Sequence, residues 1–592
     1  MADDDSKEQH IFGSEASTEG FKEFLREMLS EIIEEDNHDY GGIDGGFEDR
    51  FDTGDIDDLE EYILERIRNK EWVMEDKQFN ATNEVDDADE AVVNTGQGYY
   101  ALRQECLVQH VLFEDADFPA NSDSLYGLDG SDEHGGEVVW LRPYEIADNP
   151  HLFVDGTSRF DVVQGELGNC WFLAAVSILT LEQHLFFRVV PPDQSLSDDT
   201  YAGVFRFRFW QFGDWTDVII DDRLPTIDGK LIYTRSQENN EFWSALLEKA
   251  YAKLHGSYAA LDGGWTSEAL EDFTGGLTEY IKLEDYETDN QISCALLQDA
   301  LLRIIEKAYK KGTLIGAAIR TLPEDESNNL EWYAGLVCGH AYSITRISRQ
   351  DLQIEYDGEE LTLCRIRNPW GTTEWKGAWS DDSAEWNSLS ERAKKQLDLV
   401  CDHDGEFWMS WTDFLAHFNE IELCHLGPDV FEDIGNMLGA VRKKSVSDWS
   451  ICEELHSEWS PNCSAGGCLG NDCYYDNPQF LLEICSDENK NAAKCSAIIA
   501  VVQKYRRHDT KHDLSIGVDI FKLGGSPSSK LSNDFFEHCE PLASANPEPI
   551  REVTCRIRLT PGYYVIVPCT QDPNEEGEFM VRVFCDAEEA NV

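Results

Sequence analysis

"DVVQGELGNCWFLAA", Asp161–Ala175, is the stretch on which the reading of this 592-residue chain turns. From Trp171 onward the sequence is apolar at almost every position through "VSILTL", too continuous for a surface helix with one wet face. It reads as a loop entering a buried helix, with Cys170 in the first turn. The partial positive charge at a helix N-terminus favours a thiolate there. A thiolate that does covalent chemistry needs a partner that takes a proton and later returns it, and histidine does this near neutral pH. Of the 15 histidines, His340 in "LVCGHAYSITRI" has the most suitable setting: it starts a strand just after Gly339, which lets another backbone come close. Asn368 opens "NPWGTTEW" after the strand-like "LTLCRI". Its amide oxygen can accept the second N–H of the histidine and fix the tautomer, and Trp370 can shield that bond from water. Gln164, six residues before Cys170, offers a side-chain N–H that could join the Cys170 backbone N–H in holding the oxygen of an attacked carbonyl. Each residue alone has an ordinary structural explanation. Together, in the order Cys, His, Asn, they point to acyl chemistry on a thiol.

The rest of the chain fits a large globular protein of three or four domains. Apolar residues make up 41% and aromatics 11%, enough for packed cores. The net charge of -68 argues against nucleic acid as a partner and against anionic membrane surfaces, and suits cations or basic partners. No run approaches 18 apolar residues, and "MADDDSKEQH" does not resemble a secretory leader. The 17 cysteines are odd in number and irregularly spaced, which suggests free thiols in a reducing, cytoplasmic setting. Cys452, Cys463, Cys468 and Cys473 cluster in sequence, but no close Cys-x-x-Cys pair supports zinc there.

Residues 1–100 carry 31 acidic and 8 basic side chains and form an acidic extension. Two amphipathic helices are expected in it, one with Phe21, Leu25, Met28, Leu29, Ile32 and Ile33 on a stripe, the other with Ile56, Leu59, Ile63 and Ile67. The acidic glycine-rich segment between them is not a calcium loop: counted from Asp36, position 5 is Tyr40 and position 12 is Phe47. Residues 140–425 have mixed texture, with a helix over "EFWSALLEKAYAKL" and strands in "YAGVFRFRFW" and "DWTDVII". After about 428, "QFLLEIC", "AIIAVVQKY", "LSIGVDIF", "TCRIRLT", "YYVIVP" and "FMVRVF" predict an antiparallel β-sandwich.

Taken in order, "LFEDADFPA", "WLRPYEIADNPHLFVDG", "QGELGNCWFLAA", "EFWSALLEKAYAKLHGSY", "EDFTGG", "GHAYSIT", "RIRNPWGTTEWKGAWSDDSAEW" and "DGEFWMSWTDF" resemble the calpain family of papain-like cysteine proteases. "SAGGC", "NPQFLLEI" and "GYYVIVPCTQDPNEEGEFMVRVF" resemble its β-sandwich domain. The likeness covers roughly 100–590. It implies an α+β fold in four parts: the acidic extension (1–100), the Cys side of a two-part protease core (101–262), its His/Asn side (263–428) and the sandwich (429–592). It implies Cys170 as nucleophile, His340 as base, Asn368 as the orienting amide and Gln164 as the oxyanion donor. It also implies two calcium ions. The first would be held by the carbonyls of Val154 and Gly156 and the carboxylates of Asp161 and Glu241. The second would be held by Glu374, Asp381, Asp404, Glu406 and the carbonyl of Asp402. Oxygen-only donors suit calcium better than zinc.

The expected activity is calcium-activated limited proteolysis of protein substrates in the cytoplasm. The chain ends soon after the sandwich, so no penta-EF-hand domain and no pairing with a small regulatory subunit are expected. Docking of the sandwich to phospholipid is left open. Two rivals are a catalytically silent calpain-like scaffold or calcium-binding regulator, which usually lacks a member of the triad, and acyl transfer to an amine, which usually employs an aspartate where this chain has Asn368.

Overall fold

The computed structural model describes residues 97–127, 136–154, 158–196, 201–286, 291–320, 334–348, 354–356, 359–427, 449, 451–485, 495–504, 514–586 and 590–591. The two helices and the acidic segment expected before residue 97 lie outside the described residues. The family-wide expectation of an α+β chain is met: mixed helix and sheet up to residue 425, then strands.

The helix that begins at the cysteine is α1, Cys170–Leu179, and every residue from Trp171 to Leu179 is buried. A helix apolar all round needs partners on every side. It finds them in the hairpin β1 (Val204–Gln211) and β2 (Asp214–Asp221), in α2 (Trp243–His255) and in α3 (Thr266–Thr274), which share one hydrophobic cluster with it. Phe172 stacks on Tyr251 of α2, centroids 4.7 Å apart, and meets Phe273 of α3 edge-on. The hairpin turns at Phe212–Gly213, both at positive φ, the two-residue turn whose twist matches that of the flanking strands.

Beyond α3 lies a six-stranded antiparallel sheet. Its strands are β3 (Leu277–Lys282), β4 (Leu314–Ile319), β5 (His340–Ile347), β6 (Leu363–Arg367), β7 (Glu406–Ser410) and β8 (Glu420–His425). Their order is β7-β6-β5-β4-β8-β3. Helix α1 packs on β5, where the Ser343 hydroxyl donates to the Ala174 carbonyl at 3.1 Å. Leu314, Ala341, Cys424 and Leu426 belong to the cluster that surrounds α1, so the core continues across residues 262 and 263 without a gap.

The sandwich has one sheet of β9 (Ile451–Trp459), β16 (Gly577–Cys585), β11 (Cys495–Gln503) and β14 (Glu552–Leu559), in that spatial order. The other is β13 (Ala543–Glu548), β12 (Ile516–Leu523), β15 (Gly562–Thr570), β10 (Phe480–Ile484) and β17 (Ala590–Asn591). Strand β11 reads "CSAIIAVVQ" and is apolar on both faces. Cys495, Ala497, Ile499 and Val501 point into the sandwich, while Ile498 and Ala500 pack with Leu277 of β3. The protease core therefore covers the outer face of this sheet. Arginines of the sandwich enter the same contact. Arg551 meets Glu271 at 3.1 Å and Asp272 at 2.7 Å, both on α3. Arg582 meets Glu454 at 3.2 Å and donates to the carbonyls of Gly275 and Gly276.

Candidate active site

Cys170 is the first residue of α1, and the preceding Asn169 is wholly buried. The Asn169 amide donates to Glu248 of α2 at 2.7 Å, and Glu248 also accepts the Thr234 amide at 3.0 Å and its hydroxyl. The residue before the cysteine is thus tied to the element beneath it. The backbone amides of Ala341, Trp171 and Cys170 favour negative charge on the cysteine sulfur. Ala341 follows His340, so α1 and β5 meet at these two side chains.

His340 opens β5 and is buried. Its Nε2–H donates to Asn368 Oδ1 at 2.8 Å. The same oxygen accepts the Trp370 amide at 3.0 Å, and Asn368 Nδ2 donates to the Thr373 carbonyl at 3.1 Å. That network sets which end of the amide is oxygen, and hence puts the histidine's proton on Nε2 and leaves Nδ1 as the basic atom. The rings of Trp370 and Tyr342 lie 4.8 and 5.0 Å from the imidazole. Tyr342 in turn accepts the Val337 amide at 2.8 Å and so fixes the segment leading to His340.

The charge state differs from the thiolate expected at a helix N-terminus. Burial pushes the Cys170 thiol above its ordinary value, and the three amides only partly offset it. Burial likewise drives His340 down to about 4, against its bond to Asn368. Burial thus favours the uncharged thiol and imidazole, and no hydrogen bond joins Cys170 to His340 among the described residues. Desolvation, which the sequence does not display, outweighs the helix end.

Gln164 lies on the same loop as the cysteine. Its side-chain N–H donates to the Leu167 carbonyl at 2.7 Å, and its oxygen is buried without a partner. One of the two amide hydrogens is therefore in use within the loop and the second remains. Gly165 fits against the carbonyls of Ile232 and Tyr233, where a Cβ would come within 2.3 Å of both oxygens; no larger residue could hold the loop there.

The carboxylates form two groups. In the first, Glu241 accepts the Val154 amide at 2.7 Å and the Ser236 hydroxyl at 2.6 Å, and Asp161 accepts the Ser158 amide at 2.7 Å. Burial raises Asp161 to about 6 and Glu241 to about 7. Gly156 lies outside the described residues. In the second, Glu374 accepts the Gly405 amide at 2.8 Å and Asp404 accepts the Glu406 amide at 2.8 Å. Both oxygens of Asp381 are buried without a hydrogen-bond partner of good geometry. Burial and the neighbouring charges of Glu374 and Asp404 lift Asp381 to about 7. Asp402 is exposed on the adjoining loop. Glu406 stands apart from this group: it takes a two-pronged ion pair from Arg159, 2.7 Å on each prong, and a bond from Thr345 at 2.9 Å. Among the described residues, the carboxylates of neither group converge to within 4.8 Å in threes.

Two arginines join the groups. Arg159 leaves the first loop for Glu406, and Arg367, wholly buried at the end of β6, donates to the Asp404 carbonyl at 2.7 Å and the Val162 carbonyl at 3.5 Å. Sequence reasoning passed over both. Arg367 had a signal, since an arginine in the apolar strand "LTLCRIR" must find buried acceptors; Arg159 had none.

A family model described as "Calpain family cysteine protease" matches residues 113–425, and one described as "Calpain large subunit, domain III" matches 455–584. Calpain clp-4 of Caenorhabditis elegans is 45% identical over 514 residues, 84% of this chain and 69% of that protein. Calpain-A of Drosophila melanogaster is 45% identical over 506 residues, 83% of this chain and 58% of that protein. The Calpain-1 catalytic subunit of Mus musculus is 41% identical over 515 residues, 84% of this chain and 68% of that protein.

Proposed function

Because the chain belongs to the calpain family of cysteine proteases, we propose that it is a calcium-activated endopeptidase that cuts protein substrates through Cys170, His340 and Asn368. The observation that carries this reading is the His340 Nε2–H bond to Asn368, 2.8 Å, at the start of the strand on which the helix headed by Cys170 packs. It leaves Nδ1 to take the thiol proton. The sulfur then attacks the scissile carbonyl, and the new oxyanion is held by the Cys170 backbone N–H and the second N–H of Gln164. His340 returns its proton to the leaving amine, accepts one from water, and the acyl-sulfur bond is hydrolysed. Asn368 keeps the imidazolium oriented through these steps, and Trp370 with Tyr342 keeps water from its bond.

Burial disfavours charge on both Cys170 and His340, so an event that eases proton transfer between them would activate the site. The donor set supports calcium for that role: hard oxygens only, and in Asp381 two buried oxygens without a hydrogen-bond partner of good geometry. A bound calcium ion would supply two positive charges to each carboxylate group. Val154, Gly156, Asp161 and Glu241 would hold one ion, and Glu374, Asp381, Asp402 and Asp404 the other. Glu406 contributes through Arg159 in the conformation described. Ordering of Asp161 acts on Gln164, three residues along the same loop.

The test is cleavage of casein by the full chain with and without free calcium, for wild type and for Cys170→Ser. We expect calcium-stimulated cleavage that the serine variant lacks entirely. Cleavage by Cys170→Ser would overturn the nucleophile, and equal cleavage in chelator would overturn the calcium switch.

A further inference from the structure

We propose that the β-sandwich holds a thiophilic divalent metal ion of the zinc class, bound by Cys495, Cys585 and Asp586. Cys495 begins β11 and Cys585 ends β16, which are neighbours in one sheet. Their sulfurs lie 3.6 Å apart. Two sulfurs of a tetrahedral site with metal–sulfur bonds of about 2.3 Å stand about 3.8 Å apart, so the pair is already at the spacing such an ion requires. One carboxylate oxygen of Asp586 lies with both sulfurs in a group whose members are all within 4.8 Å of one another. Among the described residues, no other set of three histidine, cysteine or acidic side chains meets that condition. Asp586 is fixed where it is needed: its backbone N–H donates to the Ser496 carbonyl at 3.1 Å, and its Oδ1 accepts the Ser496 amide at 2.6 Å.

The register argues for a metal rather than a disulfide. Cys585 pairs with Ala497, two residues past Cys495, so the two cysteines are diagonal on one face. Diagonal Cα atoms are about 7–8 Å apart, beyond the roughly 4.4–6.8 Å that a disulfide spans. A metal ion bridges that separation with no backbone movement. The donor chemistry separates this site from calcium, which does not take thiolates. On binding, each thiol releases one proton to solvent and two metal–sulfur bonds form. The carboxylate supplies a third bond and water the fourth. Cys495 is 9% exposed at the start of β11. Bound there, the ion would fasten the end of β16 to the start of β11.

The experiment is titration of the calcium-free full chain with cobalt(II), read by absorption, followed by displacement with zinc. We expect one tight equivalent with the visible bands of tetrahedral cobalt and thiolate-to-cobalt charge transfer, bleached by zinc. Cys495→Ser should lose that equivalent. Asp586→Asn, at the rim and without effect on packing, should keep the charge transfer and bind roughly tenfold or more weakly. Cys463→Ser, an exposed cysteine elsewhere in the sandwich, should match wild type. No tight equivalent in the folded wild type, or spectra in Cys495→Ser and Asp586→Asn superimposable on it, would overturn the proposal.

Discussion

At the scale of single residues, the site is governed by what burial does to acids and bases. Asp381 and Glu241, each lifted to about 7, and Asp161, lifted to about 6, take up protons near neutral pH, and the calcium ions proposed there would compete with those protons. The sign follows: a carboxyl with a raised value is protonated at lower pH, so the calcium concentration for half-maximal cleavage rises as pH falls. Between pH 8 and pH 6, proton competition at a group of pKa about 7 weakens cation binding about tenfold. Calcium titrations of peptide cleavage at the two pH values check this; equal midpoints would show that these carboxyls do not meet the ion. Gln164→Ala should lower kcat by about 10²–10³-fold, the usual effect of losing one oxyanion donor. Alkylation of Cys170 by a small reagent should continue at its wild-type rate, because the donor serves the carbonyl and not the sulfur. Loss of both together would mean that Gln164, through its bond to Leu167, only shapes the loop.

At the scale of elements, the Arg159–Glu406 pair joins the loop before α1 to the start of β7, and so ties the cysteine's surroundings to the histidine's sheet. Both side chains are largely buried, 20% and 10% exposed. Arg159→Ala leaves Glu406 with Arg365 and Thr345 and should destabilise the protein by about 3 kcal/mol, the lower end of the range for a broken buried pair. Arg159→Gln combined with Glu406→Gln should recover much of that, as read from urea midpoints. If the double variant is as unstable as the single ones added together, the pair is not coupled. Elements also show what was legible beforehand. Helix α1 was readable from one apolar run, and six sandwich strands from alternation or continuous β-branched segments. Strands β9, β13 and β17 were not, and all three lie at sheet edges. There Glu453 and Ser457 share β9's inward face with Ile451 and Leu455, and Pro547 can stay in β13 because an edge strand need not donate on both sides. The His340–Asn368 bond could be inferred from residue type and order, but the neutral state of the pair could not, since burial is a property of the folded neighbourhood. The thiol pair Cys495–Cys585 is 90 residues apart in sequence and only register brings it together.

At the scale of the whole molecule, the sandwich is part of what makes the protease core stable. Arg551 is nearly wholly buried against Glu271 and Asp272, and its charge holds Asp272 down to about 2 in spite of burial. Arg551→Ala would leave Glu271 with Arg582 at 3.7 Å, and Asp272 with only the neutral donors Gln211 and Tyr251 and with His255, at a cost of about 3 kcal/mol. In calorimetry of the full chain, the expected result is an earlier melting of the core, separating from the sandwich; a single unshifted transition would mean that the two bodies do not depend on this arginine. The uncharged Cys170–His340 pair bears on durability. Peroxide oxidises thiolates and largely spares thiols. If the proposed switch operates, a protein resting in the conformation described would present a thiol rather than a thiolate to peroxide, and its sulfur would be most open to damage in the intervals when it works. Its lifetime in a cell would be counted in time spent switched on rather than in hours since synthesis.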